Sequence, residues 1–78
     1  MKVNIKSGKG FQVVTSSITM QVDEDYTYKV YLSADGITYS QYKTEEYSDK
    51  VLVVNGLTPQ TFIKFGEDGD NKDLIIIY

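Results

Sequence analysis

The chain has no cysteine, no histidine, no arginine and no tryptophan, and it has a single proline. Each absence excludes a class of chemistry. Without cysteine there is no disulfide framework, no zinc-thiolate site and no thiol nucleophile. Without histidine the commonest general base and the commonest metal ligand are both missing. Without arginine there is no bidentate clamp for phosphate. Lysines number 8 against 11 acidic residues, a net charge of −3, so nucleic acid and anionic membrane are not expected partners. The longest apolar run, Leu74-Ile75-Ile76-Ile77-Tyr78, is too short to span a bilayer as a helix. Met1-Lys2 leads into alternation and not into an apolar leader core, so no signal peptide is expected.

What is present points to strands. Val, Ile and Thr number 8, 7 and 7, and with 3 Phe and 7 Tyr they make 32 of 78 residues. β-branched and aromatic side chains lose rotamer freedom in a helix and pack well on a pleated surface. Ala and Leu together number five. No stretch carries a helical apolar stripe, and short alternating runs between turn residues recur throughout. The expected fold is all-β: one domain over residues 1–78, a compact antiparallel β-sandwich or small barrel of seven to eight short strands.

The strands can be placed. Lys2–Lys6 alternates, Ser7-Gly8-Lys9-Gly10 turns, and Phe11–Val14 is a second short strand. Ile18–Val22 puts Ile18, Met20 and Val22 inward. Tyr26–Ser33 puts Tyr26, Tyr28, Val30 and Leu32 on one face and Lys29 and Tyr31 on the other. Asp35-Gly36 is the strongest hairpin signal, since both central positions of a type I′ turn need positive φ. A two-residue loop there sets Leu32 opposite Tyr39, Val30 opposite Gln41, Tyr31 opposite Ser40 and Lys29 opposite Tyr42. A three-residue loop with a bulge shifts this by one residue. Tyr39 then faces the core. Glu45–Lys50 is expected to be a polar connection, Val51–Val54 a fully buried strand, and Thr61–Phe65 and Leu74–Tyr78 the last two strands.

Catalysis is not expected. The acidic residues sit almost entirely in turns, and no serine has a base to activate it. No cofactor is expected either. The loop Glu67–Asp73 offers Asp68, Asp70 and Asp73 as a weak calcium candidate, but Lys72 occupies a ligand position and no later Glu closes the site. Asp23-Glu24-Asp25 is a second acidic cluster.

Two features point to a surface function. Tyr31 and Tyr42 share the outer face with Lys29, where tyrosine suits a protein interface or a sugar-stacking platform. The terminal run Leu74, Ile75, Ile76, Ile77, Tyr78 does not alternate, so both of its faces need cover. A chain this short gains only about 3–5 kcal/mol from its core, and without disulfides or a metal, assembly is the remaining source of stability.

The stretch Tyr28–Ser40, strand, Ser-Ala-Asp-Gly, strand with an aromatic, resembles a hairpin of small β-sandwich modules. These include discoidin-like carbohydrate-binding domains and structural proteins of tailed phages. With the small size and the apolar terminal strand, the chain most resembles auxiliary or decoration capsid proteins, such as those of crAss-like phages. The resemblance implies a non-enzymatic virion protein that stabilises a capsid lattice, with the major capsid protein, copies of itself or both as partners. The alternative is a small carbohydrate-binding module using the exposed tyrosines.

Overall fold

The structure, a computed structural model, describes residues 1–22, 26–47 and 50–78, with the backbone alone for residues 26–28 and 43–47. Eight strands are formed: β1 (Lys2–Lys6), β2 (Phe11–Gln12), β3 (Ile18–Gln21), β4 (Tyr26–Ser33), β5 (Ser40–Tyr47), β6 (Val51–Val54), β7 (Phe62–Phe65) and β8 (Asp73–Ile77). They make two four-stranded antiparallel sheets, one in the order β1-β8-β3-β6 and one in the order β2-β7-β4-β5.

The pairing follows a simple rule. β1 pairs with β8, β2 with β7, β3 with β6 and β4 with β5. The chain is thus one long antiparallel ribbon with the β4–β5 hairpin at its tip. Rolling the ribbon adds the lateral pairs β3–β8 and β4–β7 and splits it into two sheets. That connectivity is a jelly roll. The open end of the ribbon brings the termini together. The Tyr78 amide donates to the Met1 carbonyl at 3.0 Å, and the Met1 ammonium donates to the Tyr78 carbonyl.

Alternation in the strands builds the core between the sheets. The first sheet contributes Ile18, Met20, Leu52, Val54, Leu74 and Ile76, and the second contributes Val30, Ile63 and Phe65, all buried. Val13, Val22 and Leu57 close the ends from the connections, and Phe11 packs its ring 6.4 Å from that of Phe65.

Four expectations are corrected. First, β5 runs to Tyr47, so residues 45–47 are strand and not a connection. Second, β6 is not fully buried. It is an edge strand, with Leu52 and Val54 buried and Val51 and Val53 41% and 48% exposed. Third, β2 ends at Gln12, and Val14 is exposed.

Fourth, Asp35-Gly36 does not make a two-residue hairpin. Leu32 faces Ser40, Tyr31 faces Gln41 and Val30 faces Lys43, with a bulge that leaves Tyr42 without a counterpart. The cause lies in two side chains that compete for the turn's amides. Ser33 Oγ accepts from the Gly36 amide at 2.9 Å and donates to Asp35 Oδ1 at 2.9 Å. Asp35 Oδ1 accepts from the Ile37 and Thr38 amides at 2.9 and 3.0 Å. These bonds open the turn into a loop over residues 34–39. Gly36, at φ 77°, lies flat against the Phe62 ring, where a Cβ would come within 3.1 Å. The side chains of Tyr26 and Tyr28 lie outside the described residues.

Candidate interaction faces

A sandwich has two outer faces, and here they differ. On the β2-β7-β4-β5 sheet the loop 34–39 folds back over β7. Tyr39 is therefore not a core residue. It lies half-buried on the outer side, where Lys64 Nζ sits 4.9 Å from its ring centroid and 5.0 Å from that of Tyr31. Both are cation–π distances. The Tyr39 hydroxyl also reaches Gly10, where a Cβ would meet it at 1.8 Å, so a side chain there would displace the Tyr39 ring.

The acidic loop 66–73 is drawn onto the same side. Glu67 Oε1 accepts from the Tyr31 hydroxyl at 3.1 Å and from Lys29 Nζ at 3.4 Å. Asp68 pairs with Lys64 at 3.3 Å. Desolvation, the hydrogen bond to Glu67 and the charge of Glu67 together raise the Tyr31 pKa above its ordinary value.

The base of the loop is tied to the β1–β2 turn. Ser7 is buried; its amide donates to the Lys72 carbonyl, its carbonyl accepts from the Asn71 amide, and its Oγ accepts from the Lys72 amide at 2.7 Å. Gly8, at φ 82°, passes so close that a Cβ would lie 2.3 Å from the Glu67 carbonyl oxygen. Asp73 opens β8 and pairs across the ladder with Lys6. Glu67, Asp68 and Asp73 thus each face a lysine of their own. Among the described residues no three acidic groups converge on a metal position. Asp23-Glu24-Asp25 lies outside the described residues.

The outer face of the β1-β8-β3-β6 sheet carries no such loop among the described residues. The registers set its side chains in two rows. Lys2, Ile77, Thr19 and Val53 form one; Asn4, Ile75, Gln21 and Val51 form the other. Ile75 and Ile77 are half-buried by their flanking strands, while Val51 and Val53 stand open at the edge. A depression of about 360 Å³ opens beside this face, lined by Asn4, Gln21, Val22, Asp73, Leu74 and Ile75.

The residues expected to form one contact surface are therefore divided. Lys29 and Tyr31 belong to the outer side of one sheet, and Ile75 and Ile77 to the outer side of the other. Tyr42 stands at the bulge, 50% exposed. Leu74 and Ile76 are core residues, 1% and 0% exposed, and leave the set of contact candidates. Tyr78 is half-buried against the core. Lys64 lies over the Tyr31 ring, and the bulge takes Tyr42 out of the register with β4. Val51 and Val53, in a run expected to be wholly buried, are exposed apolar residues that sequence reasoning missed. Lys64 was missed too, since nothing in its local sequence reports two tyrosines from another part of the chain.

Comparison with known protein families, with curated proteins and with solved structures returns no match.

Proposed function

We propose that this chain is a non-enzymatic structural protein that decorates or stabilises a capsid lattice, bound through the outer face of its β1-β8-β3-β6 sheet. One observation carries the proposal: among the described residues the molecule covers one outer face with its own loop and not the other, where Val51 and Val53 are exposed and Ile75 and Ile77 half-buried, with Gln21 and Thr19 between them. Exposed apolar stripes rimmed by polar residues mark docking surfaces. Here Lys2, Lys6, Asn4 and Asp73 supply the rim. Jelly rolls serve in viral capsid domains and in lectins, so the fold suits the role without assigning it. Burial of the stripe supplies affinity at about 25 cal/mol per Å² of apolar area, less the cost of association.

The test is to purify particles on a density gradient from a culture carrying the gene and assay each fraction for the chain by mass spectrometry. Co-sedimentation with capsid shells, lost on Ile75→Lys, supports the proposal. Recovery only in the particle-free fraction overturns it. A positive glycan array that survives Ile75→Lys also overturns it, in favour of a lectin.

A further inference from the structure

Four strands stand at sheet edges: β1, β6, β2 and β5. An edge presents unpaired amides and carbonyls, and proteins guard edges with charge, brevity or bulges. β1 begins and ends with lysine, Lys2 and Lys6. β2 is two residues long. The sequence of β5 contains Lys43, Glu45 and Glu46, and its pairing is bulged. β6 is Val-Leu-Val-Val, with no charge, no proline and a regular ladder to β3. Among the described residues it is the one edge longer than two residues without a guard of charge or bulge, and no strand among them pairs with its second edge.

The backbone of that edge points outward at known positions. In an antiparallel ladder, bonded and non-bonded residue pairs alternate. The Val22 amide donates to the Lys50 carbonyl at 3.0 Å. The bonds between β3 and β6 therefore fall at Val22/Lys50, Met20/Leu52 and Ile18/Val54. The other side of the sheet agrees: the Tyr78 amide bonds Met1, which sends the alternate residues Ile75 and Ile77 toward Gln21 and Thr19. The amides and carbonyls of Val51 and Val53 are left facing the free edge.

We infer that this edge pairs with β6 of a second copy of the chain, antiparallel about a two-fold axis at Val53, to make a continuous eight-stranded sheet. Opposite residues in an antiparallel pair share a face, so only registers whose residue numbers sum to an even value keep both cores on one side. A two-fold axis at Leu52 brings Lys50 against Val54 of the second copy, a charge against a core residue. An axis at Val53 sets Leu52 against Val54 of the second copy, and Val51 against its Asn55. Residues 51–55 carry no charge, so two chains of net charge −3 meet there without local repulsion. A charged partner finds nothing on this edge to recognise; an identical edge finds matching donors, acceptors and apolar faces.

The contact is small. Five residues span about 17 Å of strand. A standard interface takes about 800 Å² from each partner, roughly a sixth of the 4669 Å² surface of this molecule. The isolated dimer is accordingly weak and concentration-dependent. Pairing doubles the width of the apolar outer face, so the dimer offers a lattice twice the surface of one chain. The inference does not depend on which lattice the chain serves.

Sedimentation velocity over a concentration series tests it with Val53→Pro and Val53→Lys. Proline removes an amide that faces the free edge and leaves the ladder to β3 intact; lysine guards the edge with charge. The expected result is a wild-type dimer that grows with concentration and a monomer for both variants at every concentration, with Val14→Lys, on another exposed surface, dimerising as wild type. If Val53→Pro does not fold, Val53→Lys decides alone. A wild type monomeric throughout, or a dimer that survives a folded variant, overturns the inference. A monomer that still co-sediments with particles overturns it while retaining the lattice contact.

Discussion

Replacing Ile75, Ile76 and Ile77 one at a time by threonine puts the same chemical change into two environments. Threonine keeps the β-branch, so strand preference is nearly constant and the environment decides the outcome. Ile76 is 0% exposed, in a strand paired on both sides, opposite Val3 and Met20. There the change loses about 1–1.5 kcal/mol of apolar burial and adds about 1–3 kcal/mol for a hydroxyl without a guaranteed partner. The sum, about 2–4.5 kcal/mol, rivals the roughly 3–5 kcal/mol that a core of this size supplies. Ile75 and Ile77 lie on the outer face among Asn4, Gln21, Lys2 and Thr19, where a hydroxyl reaches water. Their losses stay below about 1 kcal/mol. Urea denaturation followed by tyrosine fluorescence measures all three, since there is no tryptophan. With a slope near 1 kcal/mol/M, a 3 kcal/mol loss moves the midpoint by about 3 M and leaves Ile76→Thr with about 0–2 kcal/mol of stability in buffer. Equal losses at all three positions would refute the argument, because the outer face would then be as buried as the inner one.

Three further outcomes are expected. Ser7→Ala strands the Lys72 amide that Ser7 Oγ accepts at 2.7 Å and costs about 1–3 kcal/mol, read as a lower urea midpoint. The Asp35 carboxyl, held down to about 2 by bonds from the Thr38 and Ile37 amides and then from Ser33, titrates late in an NMR pH series. Because its folded pKa is depressed, its contribution to stability is complete above the ordinary carboxylate value and fades as pH falls through about 2; Asp35→Asn removes that dependence. Lys64→Met keeps an apolar stem between the two tyrosine rings but removes the charge. It is expected to cost about 0.5–2 kcal/mol, with a changed near-ultraviolet tyrosine signal; an unchanged spectrum and midpoint would show the two ring contacts to be idle.

The sheet-forming residues announced themselves because alternation is a local property. Ile18, Met20, Val22 and Val30 all sit where period two puts them, and the all-β sandwich follows from such runs. The order of strands is not local. In the terminal run, β8 lies between β1 and β3, so its outer side chains Ile75 and Ile77 are flanked on both sides and half-buried. The run Val51–Val54 has the same composition, but its strand lies at an edge, and no periodicity separates these cases. The Asp-Gly signal failed through side-chain chemistry: Ser33 and Asp35 bond the amides that a tight turn would have used itself. The contact candidates Tyr31 and Ile75 look alike in sequence as outward strand residues, and only the rolling of the ribbon puts them on different sides.

The ribbon also sets a timetable for synthesis. Strands leave a ribosome in numerical order, but their partners run in reverse. β1, β2 and β3 emerge with β8, β7 and β6 still unmade, and the first ladder that can close is β4–β5, joined by residues 34–39. Zipping outward from that tip makes each later pairing a short closure from the one before, whereas joining β1 to β8 directly would close a loop of nearly the whole chain. A product that stalls before residue 73 leaves β1 without a partner and β3 open along one side. β8 is thus the strand that closes both, and a nascent chain is most exposed to wrong partners just before β8 emerges.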